Sequence, residues 1–290
     1  MKKIVAFILL LCMVLSLAAC GKVEITMQEI YDAVQTEALL KNHQSVYIRD
    51  ELDGEILNVK YLTKDYAFDY VPDPESEWAE FMTDNACYSS IGGDYVRFLP
   101  IDPDGVKDGF ASYRAEHYAS VMLGEDTTDE IIESVSEKDG RITVTSVLSQ
   151  ETLEIFAADG VTAGKFVYVL DAETREMIAI TGDYTYEGGA TYRMASEISY
   201  DADAPEMVKT FLAYENQTEN LRNITVVSNP GTEKEVSQTV QVPRGLIVGF
   251  RYDEDTAYVF EPYIDAACTE SYDPYADTDS DLTIYINWVE

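Results

Sequence analysis

Two histidines, four cysteines and 54 acidic residues are the chemistry-bearing material of this 290-residue chain. Two imidazoles, His43 and His117, exclude a multi-histidine metal site. His43 follows the end of an expected helix, where a cation favours the C-terminal end of the helix dipole. His117 lies on an apolar helical stripe with Phe110, Tyr113 and Val121. Both read as structural side chains. Asp102-Pro103-Asp104-Gly105 and the run from Asp273 to Asp281 are the acidic clusters. Calcium would use several of their carboxylate oxygens, but a twelve-residue EF-hand loop needs a glutamate at its last position. Counted from Asp102, that position is Tyr113, so these segments read as solvated turns. No G-x-S-x-G, H-E-x-x-H, phosphate-loop or dinucleotide fingerprint occurs. With this many acids, close carboxylate pairs arise by chance and mark nothing. The residues point away from an enzyme and imply no cofactor and no metal.

Charge narrows the partners. Twenty Lys+Arg stand against 54 Asp+Glu, a formal net charge of −34. Nucleic acid is excluded, because cations neutralising phosphates supply most of that affinity, and charge-driven adhesion to an anionic membrane is disfavoured for the same reason. The first residues tell a different story. Met1-Lys2-Lys3 precedes an apolar run from Ile4 to Leu17 broken only by Ser16. At about 1.5 Å per residue this run is short for a bilayer core of about 30 Å, and it reads as the apolar region of a secretory signal peptide over residues 1–19. Leu17-Ala18-Ala19-Cys20-Gly21 resembles the lipobox of bacterial lipoproteins, here residues 17–20. That resemblance implies cleavage between Ala19 and Cys20 and a diacylglycerol anchor on the Cys20 thiol, with palmitate-type chains holding the protein at the extracytoplasmic face of the cell membrane. Two acyl chains suffice for stable anchoring. Of the remaining cysteines, Cys87 and Cys268, an exported protein could make a disulfide or keep two separate thiols.

Positioning elements follow from periodicity. Thr26 with Glu29 makes a capping box, and Met27, Ile30, Tyr31, Val34 and Ala38 follow helical spacing, so the pattern predicts a helix over 27–41. The period then switches to two. Val46, Ile48 and Leu52 alternate up to Asp53-Gly54, a hairpin signal, and Leu57, Val59 and Tyr61 return. Tyr66, Phe68 and Tyr70 share one face of the next strand. Further hairpins run from Ile131 to Leu148 around Asp139-Gly140, and from Phe166 to Tyr186. Gly188-Gly189 then turns into a strand in which Tyr192, Met194, Ile198 and Tyr200 share a face. A second helix is expected near 108–122. The predicted class is α+β: a curved antiparallel sheet, a half-barrel of about nine strands, covered by helices. This organisation of residues 20–215 resembles the LolA/LppX-like lipoprotein carrier fold, which implies an unclosed barrel with a cavity for acyl chains. Tyr66, Phe68, Tyr70, Tyr192, Met194, Ile198 and Tyr200 are the candidate lining of that cavity. From sequence the simpler reading of the same aromatics is ordinary filled core.

Residues 223–290 form a small C-terminal domain with strand-like runs at Ile224–Val227, Val236–Val242 and Leu282–Trp288. Asn229-Pro230-Gly231, Val242 to Gly245 and the closing Asp281-Leu282-Thr283-Ile284-Tyr285-Ile286-Asn287-Trp288 resemble the Listeria–Bacteroides repeat, the internalin-type β-grasp module. Glu261 and Pro262 stand where that family has Gly and Trp. The expected function is non-catalytic binding of an acyl chain or similar apolar ligand at the cell envelope. The alternative is a structural or adhesion protein meeting cell-wall polymer or a protein partner through the β-grasp module. Cys20→Ala is expected to abolish incorporation of labelled palmitate and release the chain from the membrane fraction. A membrane-bound, labelled C20A variant would contradict the anchor.

Overall fold

The computed structural model describes residues 23–73, 77–102, 104–106, 109–110, 129–251 and 259–289. The signal segment with Ala19 and Cys20, and the expected helix at 108–122 with His117, lie outside them apart from Gly109 and Phe110. In chain order the elements are α1 (Met27–Ala33), α2 (Thr36–Leu39), β1 (Ser45–Leu52), β2 (Glu55–Thr63), β3 (Tyr66–Val71), β4 (Trp78–Thr83), β5 (Cys87–Ile91), β6 (Asp94–Asp102) and β7 (Gly105–Val106). There follow β8 (Glu130–Lys138), β9 (Arg141–Leu148), α3 (Gln150–Phe156), β10 (Val161–Asp171), β11 (Met177–Tyr186), β12 (Thr191–Tyr200) and α4 (Glu206–Glu215). The last five are β13 (Leu221–Ser228), β14 (Val236–Pro243), β15 (Ile247–Arg251), β16 (Val259–Tyr263) and β17 (Leu282–Val289). The structure is mostly antiparallel sheet with few helices. No described helix is long and apolar enough to cross a membrane.

The chain divides into two compact units that do not follow chain order. One holds residues up to Val34 and Glu125–Tyr192; the other holds Gln35–Gly124 and Arg193–Glu290. In the first, β8, β9, β10 and β11 form successive antiparallel pairs. Alternation makes one face apolar: Ile142, Val144, Leu148, Phe166, Leu170 and Ile180 are buried. Gly182 has no side chain because the Phe166 ring occupies that space, 2.8 Å from where a Cβ would stand. The capping box forms as expected, with Glu29 N–H donating to Thr26 Oγ1 at 3.2 Å and Thr26 N–H to Glu29 Oε2 at 2.7 Å.

The single helix expected over 27–41 is instead two, α1 and α2. Val34 ends the first, and Gln35 is extended (φ −66°, ψ 141°). The apolar stripe survives, since Val34, Leu39 and Leu40 are all buried. Burial rather than helical propensity decides the local backbone here, and the break falls where the chain passes from one unit to the other.

In the second unit the strands lie in the order β15-β6-β5-β4-β3-β2-β1-β12. Every neighbouring pair is antiparallel except β15 with β6. Strands β4 to β7, strand β15 and helix α3 were not signalled by the sequence pattern. The C-terminal strands make a separate mixed sheet, β14-β13-β17-β16, with β13 and β17 parallel at its centre. Its inner residues Ile224, Val226, Ile284 and Ile286 join Val208 and Phe211 of α4 and the face of β2–β5 in one core. The aromatic face of the meander is therefore covered by α4 and C-terminal strands, where the sequence suggested the N-terminal helices. Phe211 stacks on Phe81 at 5.6 Å and tilts onto Phe68 at 6.3 Å. Phe211→Ala should lower unfolding free energy by about 3–5 kcal/mol. A loss below about 1 kcal/mol in urea titration would show that α4 is not part of the core.

Candidate functional site

Cross-strand partners in an antiparallel sheet point to the same face, so the register sorts the candidate lining residues. One row runs Tyr47–Tyr61–Phe68–Phe81–Tyr88–Arg97 across β1 to β6. Tyr66 and Tyr70 share its face. Phe68 is fully buried, and Tyr66 and Tyr70 pack against the same cluster. Arg97 lies over the Tyr88 ring at 4.7 Å, and Tyr88 Oη donates to Glu215 Oε2 of α4 at 2.9 Å. This aromatic row is a filled core.

Ile198 and Tyr200 belong to the opposite face. Their partners in β1 are Ile48 and Val46, and the pairing continues as an apolar row, Tyr200–Val46–Leu62–Ala67–Met82–Cys87–Phe98. The seven residues proposed from sequence thus split across two faces of the sheet. Phe68 is brought into the core with Tyr66 and Tyr70; Ile198 is buried on the second face; Met194 is half-buried beside Leu52; Tyr192 is exposed and packs edge-on against Tyr186 at 5.3 Å. Tyr200 lies against the His43 ring at 4.2 Å. Alternation within a strand identified each face correctly, but the relation between faces depends on register many residues away.

Next to the apolar row runs a polar one, Lys60–Asp69–Glu80–Ser89. Glu80 is 3% exposed and forms an ion pair with Arg251, whose guanidinium lies 5.2 Å from the Phe98 ring centre. Lys60, Asp69 and Glu80 line a void of about 20 Å³ with Leu62 and Met82, room for a single water. Asp50, on the same face, accepts a hydrogen bond from Ser196 Oγ directly across the ladder. Burial raises the Asp50 pKa from its ordinary value, while Ser196 and the Lys60 charge oppose that rise. Cys87 is buried, and burial with the nearby Glu80 charge pushes its thiol far up; Cys87 and Cys268 are free thiols. A thiol held in this way is inert rather than nucleophilic.

The first unit carries its own buried carboxylate. Tyr168 Oη donates to Glu130 at 2.8 and 2.9 Å to the two oxygens, and Ser146 Oγ donates to the same group. All three residues are buried among Ile142, Val144, Leu148 and Phe166. Desolvation raises Glu130, against the lowering effect of the two hydroxyl donors. These acids were hidden in the sequence because isolated Asp or Glu in a strand reads as an outward position.

The acidic run Asp273–Asp281 is a structural loop. Asp277 accepts from the N–H groups of Asp279 and Ser280, each at 2.8 Å, and those bonds bring its pKa down to about 2. Arg222, 1% exposed, donates to the carbonyls of Asp277 at 2.8 Å and Leu246 at 2.9 Å. Among the described residues no group of three or more His, Cys, Asp or Glu gathers to hold a metal ion.

No protein-family model matches the chain, and no curated protein matches it. Solved structures do resemble it. The Mycobacterium tuberculosis lipoprotein LppX is similar over 62% of this chain and 96% of its own, at 10% identity and a TM-score of 0.35. A LolA-superfamily protein from Nitrosomonas europaea is similar over 64% and 97%, at 9% identity and 0.23. The Pseudomonas aeruginosa MucA/MucB complex is similar over 76% and 77%, at 13% identity and 0.25. Scores this low carry nothing about ligand or partner, so function must be read from the chain's own faces.

The buried acids make a signed prediction. A carboxyl whose folded pKa is raised binds more protons folded than unfolded, so its contribution is complete below the unfolded value of about 4 and is lost as pH rises through the folded one. Asp171, Asp265 and Asp281 are lowered by backbone N–H donors and act oppositely, losing their contribution as pH falls through their folded values. Glu130→Gln should therefore raise Tm at neutral pH and flatten its fall above about pH 4. A Tm profile parallel to the parent's would show that Glu130 does not titrate differently on folding.

Proposed function

We propose that the chain is a non-catalytic, lipid-anchored protein of the extracytoplasmic membrane face that binds an acyl chain or similar apolar ligand on the second face of its meander. The observation that supports binding is the row Val46–Leu62–Ala67–Met82. It is apolar along its length, is itself buried at Val46, Leu62 and Met82, so that a ligand would have to displace what covers it, and lies opposite the face that α4 and the C-terminal strands fill. A purely structural sheet with one face packed commonly turns polar residues outward on the other. Here the second face instead combines an apolar strip with a flanking charged row, Lys60, Asp69 and Glu80, the pairing an amphiphile needs for its tail and its head. Helices closing this face over a half-barrel would complete the carrier arrangement. An anchor at the lipobox Cys20 would hold the protein beside a source of lipid.

The non-catalytic reading rests on how the polar groups are used. Glu130 is held by two hydroxyls, Asp50 by Ser196 and Glu80 by Arg251. Each is committed to an internal partner rather than aimed at a cleft as base or nucleophile. Native mass spectrometry of the detergent-extracted protein should show adducts of lipid mass beyond the anchor. A fluorescent fatty acid should bind and be displaced by oleate, and Leu62→Trp, which fills the strip, should weaken it about tenfold, or about 1.4 kcal/mol. Absence of both adduct and fluorescent binding would overturn the reading in favour of a structural protein that meets wall polymer through its C-terminal module.

A further inference from the structure

A second concavity lies on the aromatic side of the larger unit, away from the apolar strip. It has a volume of about 810 Å³ and is open to solvent. Three segments wall it: residues 42–45 before β1, the β2–β3 turn at 63–66, and residues 201–204 after β12. Each wall is pinned. Asp201 N–H donates to Ser45 O at 2.9 Å, Ser45 Oγ to Ala202 O at 3.0 Å, and Tyr61 Oη to the same carbonyl at 3.1 Å. Thr63 Oγ1 accepts from Tyr66 N–H at 3.0 Å and Asp65 N–H at 3.2 Å. Asp201 adopts φ +53° and accepts from His43 Nδ1 at 2.9 Å and Gln44 N–H at 2.8 Å. A bowl with walls fixed in this way binds without an ordering cost.

Its chemistry is selective. The rings of Tyr61 and Tyr66 stack at 6.2 Å, and Tyr66 is half-buried, offering an apolar ring surface to the bowl. Around that platform stand planar polar side chains, Asn42, Gln44, Asp65 and Asp203. Three carboxylates, Asp65, Asp201 and Asp203, against Lys64 and His43 leave a negative field that repels phosphates and other anions. An aromatic surface ringed by paired acceptors and amides, without anion affinity, suits a ligand with an apolar ring face and many hydroxyls. The volume falls within the range of ligand pockets, about 300–1,000 Å³. We infer that this bowl binds an uncharged sugar chain, independently of the apolar ligand on the opposite face.

The test uses the full mature chain carrying Cys20→Ala, titrated calorimetrically with triacetylchitotriose and maltotriose as uncharged probes and spermine as a cationic one. One of the sugars should saturate a single site below about 10 mM, with saturation transfer from the protein to its ring C–H protons. Tyr66→Ala should weaken it about tenfold, Tyr66→Phe should retain it, and Asp65→Ala, on the exposed turn, should weaken it without loss of fold. Three results would overturn the inference: no sugar heat up to about 10 mM, binding of spermine alone, or sugar affinity unchanged in Asp65→Ala and Tyr66→Ala. Should Tyr66→Ala fail to fold, the Asp65 variant and the saturation-transfer pattern decide.

Discussion

The register that stacks Tyr47, Tyr61, Phe68, Phe81 and Tyr88 into one row is the constraint on which the larger unit depends. A shift by one residue in any of these strands would send its aromatic to the other face and break the row. Because the row is continuous, one helix, α4, can cover it: Phe211 meets Phe68, Phe81, Tyr88 and Tyr95 at ring distances of 5.6 to 6.3 Å. The C-terminal strands then complete the cover. Their segment is tied to the meander a second time by β15, which leaves its own sheet neighbours and pairs in parallel with β6. Val208 and Phe211 of α4 and the inner residues Ile224, Val226, Ile284 and Ile286 of the C-terminal strands thus share the meander's core.

The same register that fills one face defines the other. Val46, Leu62, Met82 and Cys87 are apolar because each lies one residue from an aromatic of the core, and the strands are apolar on both sides over this stretch. Where a strand is apolar on both sides, its polar residues cluster in a neighbouring row, and there they must find partners inside the protein. Glu80 with Arg251 and Asp50 with Ser196 are those pairs. The buried apolar strip and the buried charges beside it are two consequences of one alternation.

Local pattern made much of this legible. The capping box at Thr26, the Asp53-Gly54 and Asp139-Gly140 turns, the β8–β9 and β10–β11 hairpins and the facial sharing of Tyr66, Phe68 and Tyr70 all follow from short-range spacing. What was not legible depends on distant residues. Strand β4 hides because buried Glu80 interrupts its alternation, and β5, Cys-Tyr-Ser-Ser-Ile, is too polar to read as a buried strand although its first four residues are buried. Strand β15 follows a Pro-Arg-Gly turn and is held by a partner some 150 positions earlier in the chain. The seven aromatic and aliphatic candidates could be sorted within strands but not between them. The bowl's walls come from three segments that approach only through the β1–β2 and β1–β12 pairing, so its composition has no sequence signature.

The strongly acidic composition, a formal −34, reads from sequence as solvated turns, and the folded chain shows how those turns use it. Asp171, Asp265, Asp277 and Asp281 each accept backbone N–H groups at 2.7 to 2.9 Å. An aspartate engaged in this way is favoured as an anion, and its lone pairs are spent on nearby backbone. Asp53 has φ +52°, a conformation aspartate tolerates better than most residues, and its carboxylate accepts from the distant Arg193 N–H at 2.8 Å. Acidic side chains therefore do, in this protein's loops, the turn-forming work that glycine and asparagine often share. A chain can carry a large negative charge for this reason alone, which is why the aspartate runs, conspicuous in the sequence, say less about function than the nearly silent alternation of its strands.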